Sequence, residues 1–157
     1  YAIDVLFPDQ NMYLATSTLS TLNKKKKLDD NQFSIVVKVT ASSATSFLLT
    51  GDAPAKVEDL LVKKLCPAKS FKPNGQKQDC ILDADILKLG HHGSKTSSSA
   101  LFLQTVSPDE VVISASKDNS YGHPHKEVMS RVYDQKRKKP LLIRETFREG
   151  NVVYTFE

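Results

Sequence analysis

At 157 residues the chain is long enough for one domain with its own core, so it needs no disulfide or metal staple to fold. With 39% hydrophobic and 25% charged residues its composition is that of an ordinary soluble globular protein, and no apolar run approaches the roughly 20 residues of a membrane-crossing helix. A net charge of +4 and a pI near 9.0 make it mildly basic, with much of the charge in two clusters, Lys24-Lys-Lys-Lys27 and Lys136-Arg-Lys-Lys-Pro140.

The chain starts at Tyr1 rather than Met, shows no signal peptide, and enters the apolar run at residues 2–7 at once, as expected of a piece of a larger fold. Residues 11–31 are polar and read as a long loop. The β-branched run at 33–40 reads as a strand. A turn at 41–44 and a returning strand at 45–50 complete a hairpin that delivers Gly51-Asp52. Pro54 suits the first position of a helix, in which Val57, Leu60, Leu61 and Leu65 form one apolar stripe. Residues 69–79 are polar, with Pro73-Asn-Gly75 as turn chemistry. A strand at 84–89 is broken by Gly90 to Ser94. Ser97 or Ser98 caps a short helix carrying Leu101, Phe102 and Val106. Pro108-Asp-Glu110 turns into a strand at 111–114. Pro124 opens a helix with Val128, Met129, Val132 and Tyr133 on one face, and strands at 141–143 and 152–156 close the chain. Strands alternating with helices argue for an α/β domain with helices packed on a mixed sheet. No repeat or linker divides residues 1–157.

Two cysteines, Cys66 and Cys80, flank the polar loop. As a disulfide they close it and imply an oxidising compartment; as free thiols they are small buried hydrophobes. Zinc binding by this pair alone is disfavoured, because no CxxC spacing exists.

Three strands end in ligand-capable clusters: Asp52, then His91-His92, then His123 and His125, which together hold all four histidines of the chain. Loops at one edge of a rigid sheet can converge side chains on a point. Asp52 is either a turn aspartate or a carboxylate turned outward by Gly51. Adjacent histidines in an extended backbone point opposite ways, so one of His91 and His92 is the easy metal ligand and the other a neighbour; the plainer alternative is a surface loop. Two ligands hold zinc poorly, and a catalytic site needs about three plus an open position. Either His123 completes the set or the remaining ligands lie outside this chain. His123 can bind metal, protonate a leaving alkoxide or contact phosphate, or merely cap the following helix. The segment Gly93-Ser-Lys-Thr-Ser-Ser98, running into a helix start, suits an anion through Ser94, Lys95 and Thr96 and backbone amides. It is not a Walker A loop, whose glycine spacing it lacks, nor a nucleophile elbow. The lysine clusters serve either nucleic-acid contact or a solvated loop.

Three pieces in this order carry a family resemblance: Phe47-Leu-Leu-Thr-Gly-Asp52, Asp85-Ile-Leu-Lys-Leu-Gly-His-His-Gly-Ser-Lys-Thr-Ser97, and Val111-Val-Ile-Ser-Ala-Ser with Asn119-Ser-Tyr-Gly-His-Pro-His125. The chain resembles the metallo-β-lactamase superfamily, and in particular the hydrolase domain of ComEC-type competence proteins. The resemblance implies a four-layer αββα sandwich, of which this chain is the C-terminal portion, with the active site at one edge between two sheets. It implies metal ligation by Asp52, as the bridging carboxylate, and by His92 or His91, with His92 preferred. It implies one or two divalent ions, Zn or Mn, in an incomplete site, and hydrolysis of a small-molecule or nucleic-acid phosphoester. The family's H-x-H-x-D-H motif has no counterpart, since no histidine precedes His91, and Asn31 stands where other members place a further histidine. The expected partner is therefore an N-terminal segment of the same fold. The alternative is a metal-free basic domain that binds DNA or another anionic partner.

Overall fold

The computed structural model describes residues 1–9, 30–41, 44–66, 80–134 and 140–156. Both lysine clusters, most of the polar loop at 11–31 and the turn at Pro73–Gly75 lie outside them. One six-stranded sheet runs in sequence order: β1 (Ala2–Phe7), β2 (Val36–Thr40), β3 (Ser46–Leu49), β4 (Ile86–Lys88), β5 (Glu110–Ile113) and β6 (Leu142–Glu145). The first two pairings are antiparallel and the last three parallel, so the sheet is mixed and the fold α/β. Each parallel join carries a helix: α1 (Ala55–Leu65), α2 (Ala100–Val106) and α3 (Lys126–Tyr133), with a single turn, α4 (Thr146–Glu149), after β6.

Successive crossovers of one hand that step the same way along a sheet lay their helices on the same face. The register shows which face. Leu48, Leu87, Val111 and Ile143 lie opposite one another across four strands. The first three are fully buried, in one cluster with Val57, Leu61 and Val62 of α1, Phe102, Leu103 and Val106 of α2, and Val128 and Val132 of α3. The alternate positions make the other face, where the exposed apolar side chains Ile3 (68%), Val5 (63%), Leu49 and Leu142 are interspersed with buried Ile86 and with Lys88, Glu110 and Arg144. Phe47 on this face is shielded by aromatic neighbours, with the Tyr154 and Phe156 rings at 5.0 and 5.7 Å. The described residues thus form one mixed sheet with α1, α2 and α3 packed on one side, an α/β arrangement.

Several expected boundaries move, each for a local reason. The strand expected at 33–40 begins at Val36, because Asp30–Phe33 is a 3-10 turn. The run at 152–156 joins no ladder; Tyr154 and Phe156 turn onto Phe47 instead, and Tyr154 donates to Glu110 Oε1. Pro54 is the residue before α1 rather than its first. Ser99, not Ser97 or Ser98, caps α2 by accepting from the Phe102 amide, since the Ser97 hydroxyl is spent on Gly90 O and Ser94 O. Tyr133 is 69% exposed, off the buried face that Val128 and Val132 make. Cys66 and Cys80 are paired in a disulfide, with Cα atoms 5.1 Å apart.

Candidate active site at the strand ends

Because β3, β4 and β5 are parallel, their C-terminal ends reach the same edge of the sheet, the usual place for ligands in such sheets. β3 leads to Asp52, β4 to His91 and His92, and β5 to the loop carrying His123. The three clusters expected from the sequence are brought together. The ring centroids of His91, His92 and His123 lie 5.6 to 6.4 Å apart, and His125 is 4.9 Å from His123.

The backbone between β4 and α2 is not extended. His91 and His92 occupy the left-handed region in succession, with φ of 48° and 55°, a conformation that costs roughly 1–2 kcal/mol per ordinary residue. The two rings therefore do not point opposite ways, as an extended chain would have them. Strain of this kind persists only where the surroundings hold it, and here they do. The His91 amide donates to Gly51 O, Ser94 N donates to His91 O, and His125 N donates to Gly93 O. Gly93, at φ 80°, lies so close to α3 that a Cβ would sit 2.7 Å from Pro124 Cβ.

His92 is oriented at both nitrogens. Its Nδ1 lies 2.5 Å from Ser114 O; a carbonyl only accepts, so Nδ1 carries the proton and Nε2 offers its lone pair. That Nε2 faces Asp52 Oδ1 at 3.6 Å. Two acceptors in this relation call for a cation between them, either a proton or a metal. Bonds of about 2.0–2.2 Å around a tetrahedral ion put neighbouring ligand atoms roughly 3.3–3.6 Å apart, so the pair fits one edge of such an ion. Among the described residues no group of three or more His, Cys, Asp and Glu side chains is arranged to hold a metal. The edge fits; a complete ligand set is not formed by these residues. His91 Nδ1 is buried without a hydrogen-bond partner in the described structure, the state in which a polar atom is open to a ligand or water.

Lys88, which the sequence reading passed over, belongs to this site. It donates to Gly51 O at 3.0 Å and its Nζ is 4.0 Å from Asp52 Oδ1. Burial lowers its pKa and the Asp52 charge opposes that. A charged residue in the strand directly before His91 was the available signal. His123 is also held below the usual histidine range, first by burial, then by His125, His91 and His92, with Asp52 acting the other way.

The segment 93–98 is differently placed. Ser94 is buried, with its hydroxyl 3.0 Å from that of Thr96, while Lys95 and Thr96 are exposed. The amides at the start of α2 that sequence offers to an external anion already hold an internal one. Ser98 N and Ser99 N donate to the two carboxylate oxygens of Glu58 at 2.8 and 2.9 Å. Glu58 is fully buried, and burial pushes its pKa up to about 7 against the lowering effect of those two amides. Its signal in the sequence was a carboxylate on the apolar stripe, in helical step with Leu61, Val62 and Leu65.

No protein-family model matches the chain. It is 41% identical over 110 residues to Competence protein ComA of Neisseria gonorrhoeae, covering 70% of this chain and 14% of that protein. It is 37% identical over 107 residues to Recombination protein 2 of Haemophilus influenzae, with 68% and 11% covered. It is 31% identical over 112 residues to ComE operon protein 3 of Bacillus subtilis, with 71% and 12% covered. The chain spans only 11% to 14% of the length of these relatives. Over about two thirds of its length it is therefore a homologue of a short segment of ComEC-like competence proteins.

Proposed function

We propose that this chain carries half of the active site of a metal-dependent phosphodiester hydrolase acting on nucleic acid, in a metallo-β-lactamase-like arrangement. The observation that carries the reading is the Asp52–His92 edge: a carboxylate oxygen and an imidazole lone pair 3.6 Å apart, the imidazole fixed by Ser114 O. Such an ion, Zn or Mn, supplies a water acidified into a nucleophile at neutral pH. The chain's own residues do the rest. Asp52 and His92 would hold the ion, and its chemistry would be supplied at that point. His91, beside them, lends its unpartnered Nδ1 to ligand or water. Lys88 fixes the Asp52 turn through Gly51 O. Exposed Lys95, next to Thr96, meets a phosphate at the rim. An arriving phosphate anion favours the protonated form of His123, so that it can hold a proton for the leaving oxygen.

The exposed apolar side chains Ile3, Val5, Leu49 and Leu142 on the face away from the helices support the architectural side of this reading. Apolar positions of this kind on a sheet are normally buried against another element. The proposed covering is an N-terminal segment of the same fold, which also brings the missing ligands. The relatives' names, which speak of competence and recombination, favour a nucleic acid as the phosphoester.

The test is hydrolysis of a nucleic-acid phosphodiester by the intact protein with added Zn²⁺ or Mn²⁺. Metal-dependent cleavage that is lost in Asp52→Ala supports the proposal. Cleavage unchanged by Asp52→Ala, or metal-independent binding without cleavage, rejects it; the second outcome leaves the basic anion-binding domain as the function.

A further inference from the structure

Two near-parallel ring pairs lie beside the Asp52–His92 edge. His92 and His123 are at 20° and 6.4 Å, and Tyr121 and His123 at 21° and 5.7 Å. Tyr121 is 76% exposed. A large aromatic side chain held flat against one neighbour, with most of its surface open to water, is a surface made for another planar group.

The loop that presents it is braced. Asn119 uses its whole amide: Nδ2 donates to Ser116 O at 2.6 Å and to His123 O at 2.7 Å, and Oδ1 accepts from His123 N at 2.8 Å. Beside these rings is a cleft of about 330 Å³ whose lining includes Tyr121, His123, His92, Ser114, Ser116 and Thr146. That volume is at the low end of small-molecule sites. It has room for a single planar heterocycle. His92 is at once a wall of this cleft and a partner of Asp52, so a base in the cleft brings its own phosphate to the strand ends.

We propose that the cleft between Tyr121 and Ser116 is a nucleobase subsite for single-stranded nucleic acid, with Tyr121 as the stacking platform that sets the scissile phosphate beside Asp52 and His92. Base-on-aromatic stacking tolerates any base, so the subsite selects single strands over duplex without selecting sequence. The inference rests on the phosphodiester reading for the identity of its substrate and not for its existence, since stacking needs no metal and no cleavage.

The experiment is equilibrium binding by the intact protein, with chelator present to silence hydrolysis. The probes are a short fluorescent oligothymidylate and an abasic strand with the same number of phosphates. The wild-type protein should prefer the base-bearing strand by about 5- to 150-fold, the range of one stacked base. Tyr121→Ala should remove that preference while leaving abasic binding unchanged, and Tyr121→Phe should keep it. Equal affinity of wild type and Tyr121→Ala for the oligothymidylate, or an equal loss on both strands, overturns the subsite. If base-dependent binding through Tyr121 stands while Asp52→Ala hydrolyses normally, the phosphodiester site fails and the subsite does not.

Discussion

Two loops at the same sheet edge treat their polar groups in opposite ways. In residues 90–99 many of the polar groups are spent inside the protein: Ser97 on Gly90 and Ser94, the α2 amides on Glu58, the Ser94 hydroxyl on that of Thr96. In residues 114–125 the loop is braced by one asparagine, yet it leaves a cleft and an exposed tyrosine facing outward. The first loop is scaffold, and it exists to hold His91 and His92 in a costly backbone. The second is the side from which a substrate arrives. Sequence composition points the other way, since the Ser- and Lys-rich segment 93–98 looks the more inviting of the two.

The contrast can be broken by substitutions on the scaffold side, where the largest effects belong. Gly93→Ala adds a Cβ against Pro124 at positive φ. Strain and overpacking together should cost about 2–5 kcal/mol in denaturant titrations, and a loss under 1 kcal/mol would mean that the two loops are not wedged together. Next comes the disulfide Cys66–Cys80. Its replacement by two serines should lower stability by about 2–4 kcal/mol, without altering the site, which lies beyond the other end of α1.

Glu58 gives a pH signature of similar size. Its folded pKa, about 7, is above the unfolded value of 4.5. Between the two the folded state binds more protons, so stability falls as pH rises. The contribution is complete below about pH 4.5 and gone by about pH 7, and is on the order of 3 kcal/mol. Thermal or urea unfolding across this window should show the slope in the wild type and lose it in Glu58→Gln. A wild type without the slope would mean that the carboxylate is not buried as described. On the open side, Tyr121→Ala should change stability by less than about 0.5 kcal/mol. A large loss there would make Tyr121 scaffold too.

Much of this was legible in the sequence because its causes are local. The β-branched runs fix β2 and β5, the stripe of Val57, Leu61 and Leu65 fixes α1, and the strand ends mark Asp52, His91, His92 and His123. The mutual approach of those four residues follows from parallel strands, which alternating strands and helices already imply. What escaped was set by tertiary context. The run at 152–156 has strand composition, but its rings find Phe47 before a ladder. Composition places the His91-His92 pair on an extended backbone, whereas the bonds His91 N to Gly51 O, Ser94 N to His91 O and His125 N to Gly93 O hold it left-handed. Glu58 and Lys88 are charges in apolar patterns; a periodicity argument counts them as interruptions, while the fold uses one to fill a helix start and the other to fix a turn.

The central claim is that Asp52 and His92 form one edge of a divalent-metal site. Direct titration of the intact protein with Zn²⁺ or Mn²⁺ tests it most plainly. Wild type should bind the ion, and Asp52→Ala and His92→Ala should each weaken binding by more than roughly 100-fold, beyond what is lost when only a group supporting a ligand is changed. His125→Ala, whose ring accepts from the Lys95 amide instead, should bind as wild type does. Undiminished affinity in both Asp52→Ala and His92→Ala would contradict the account.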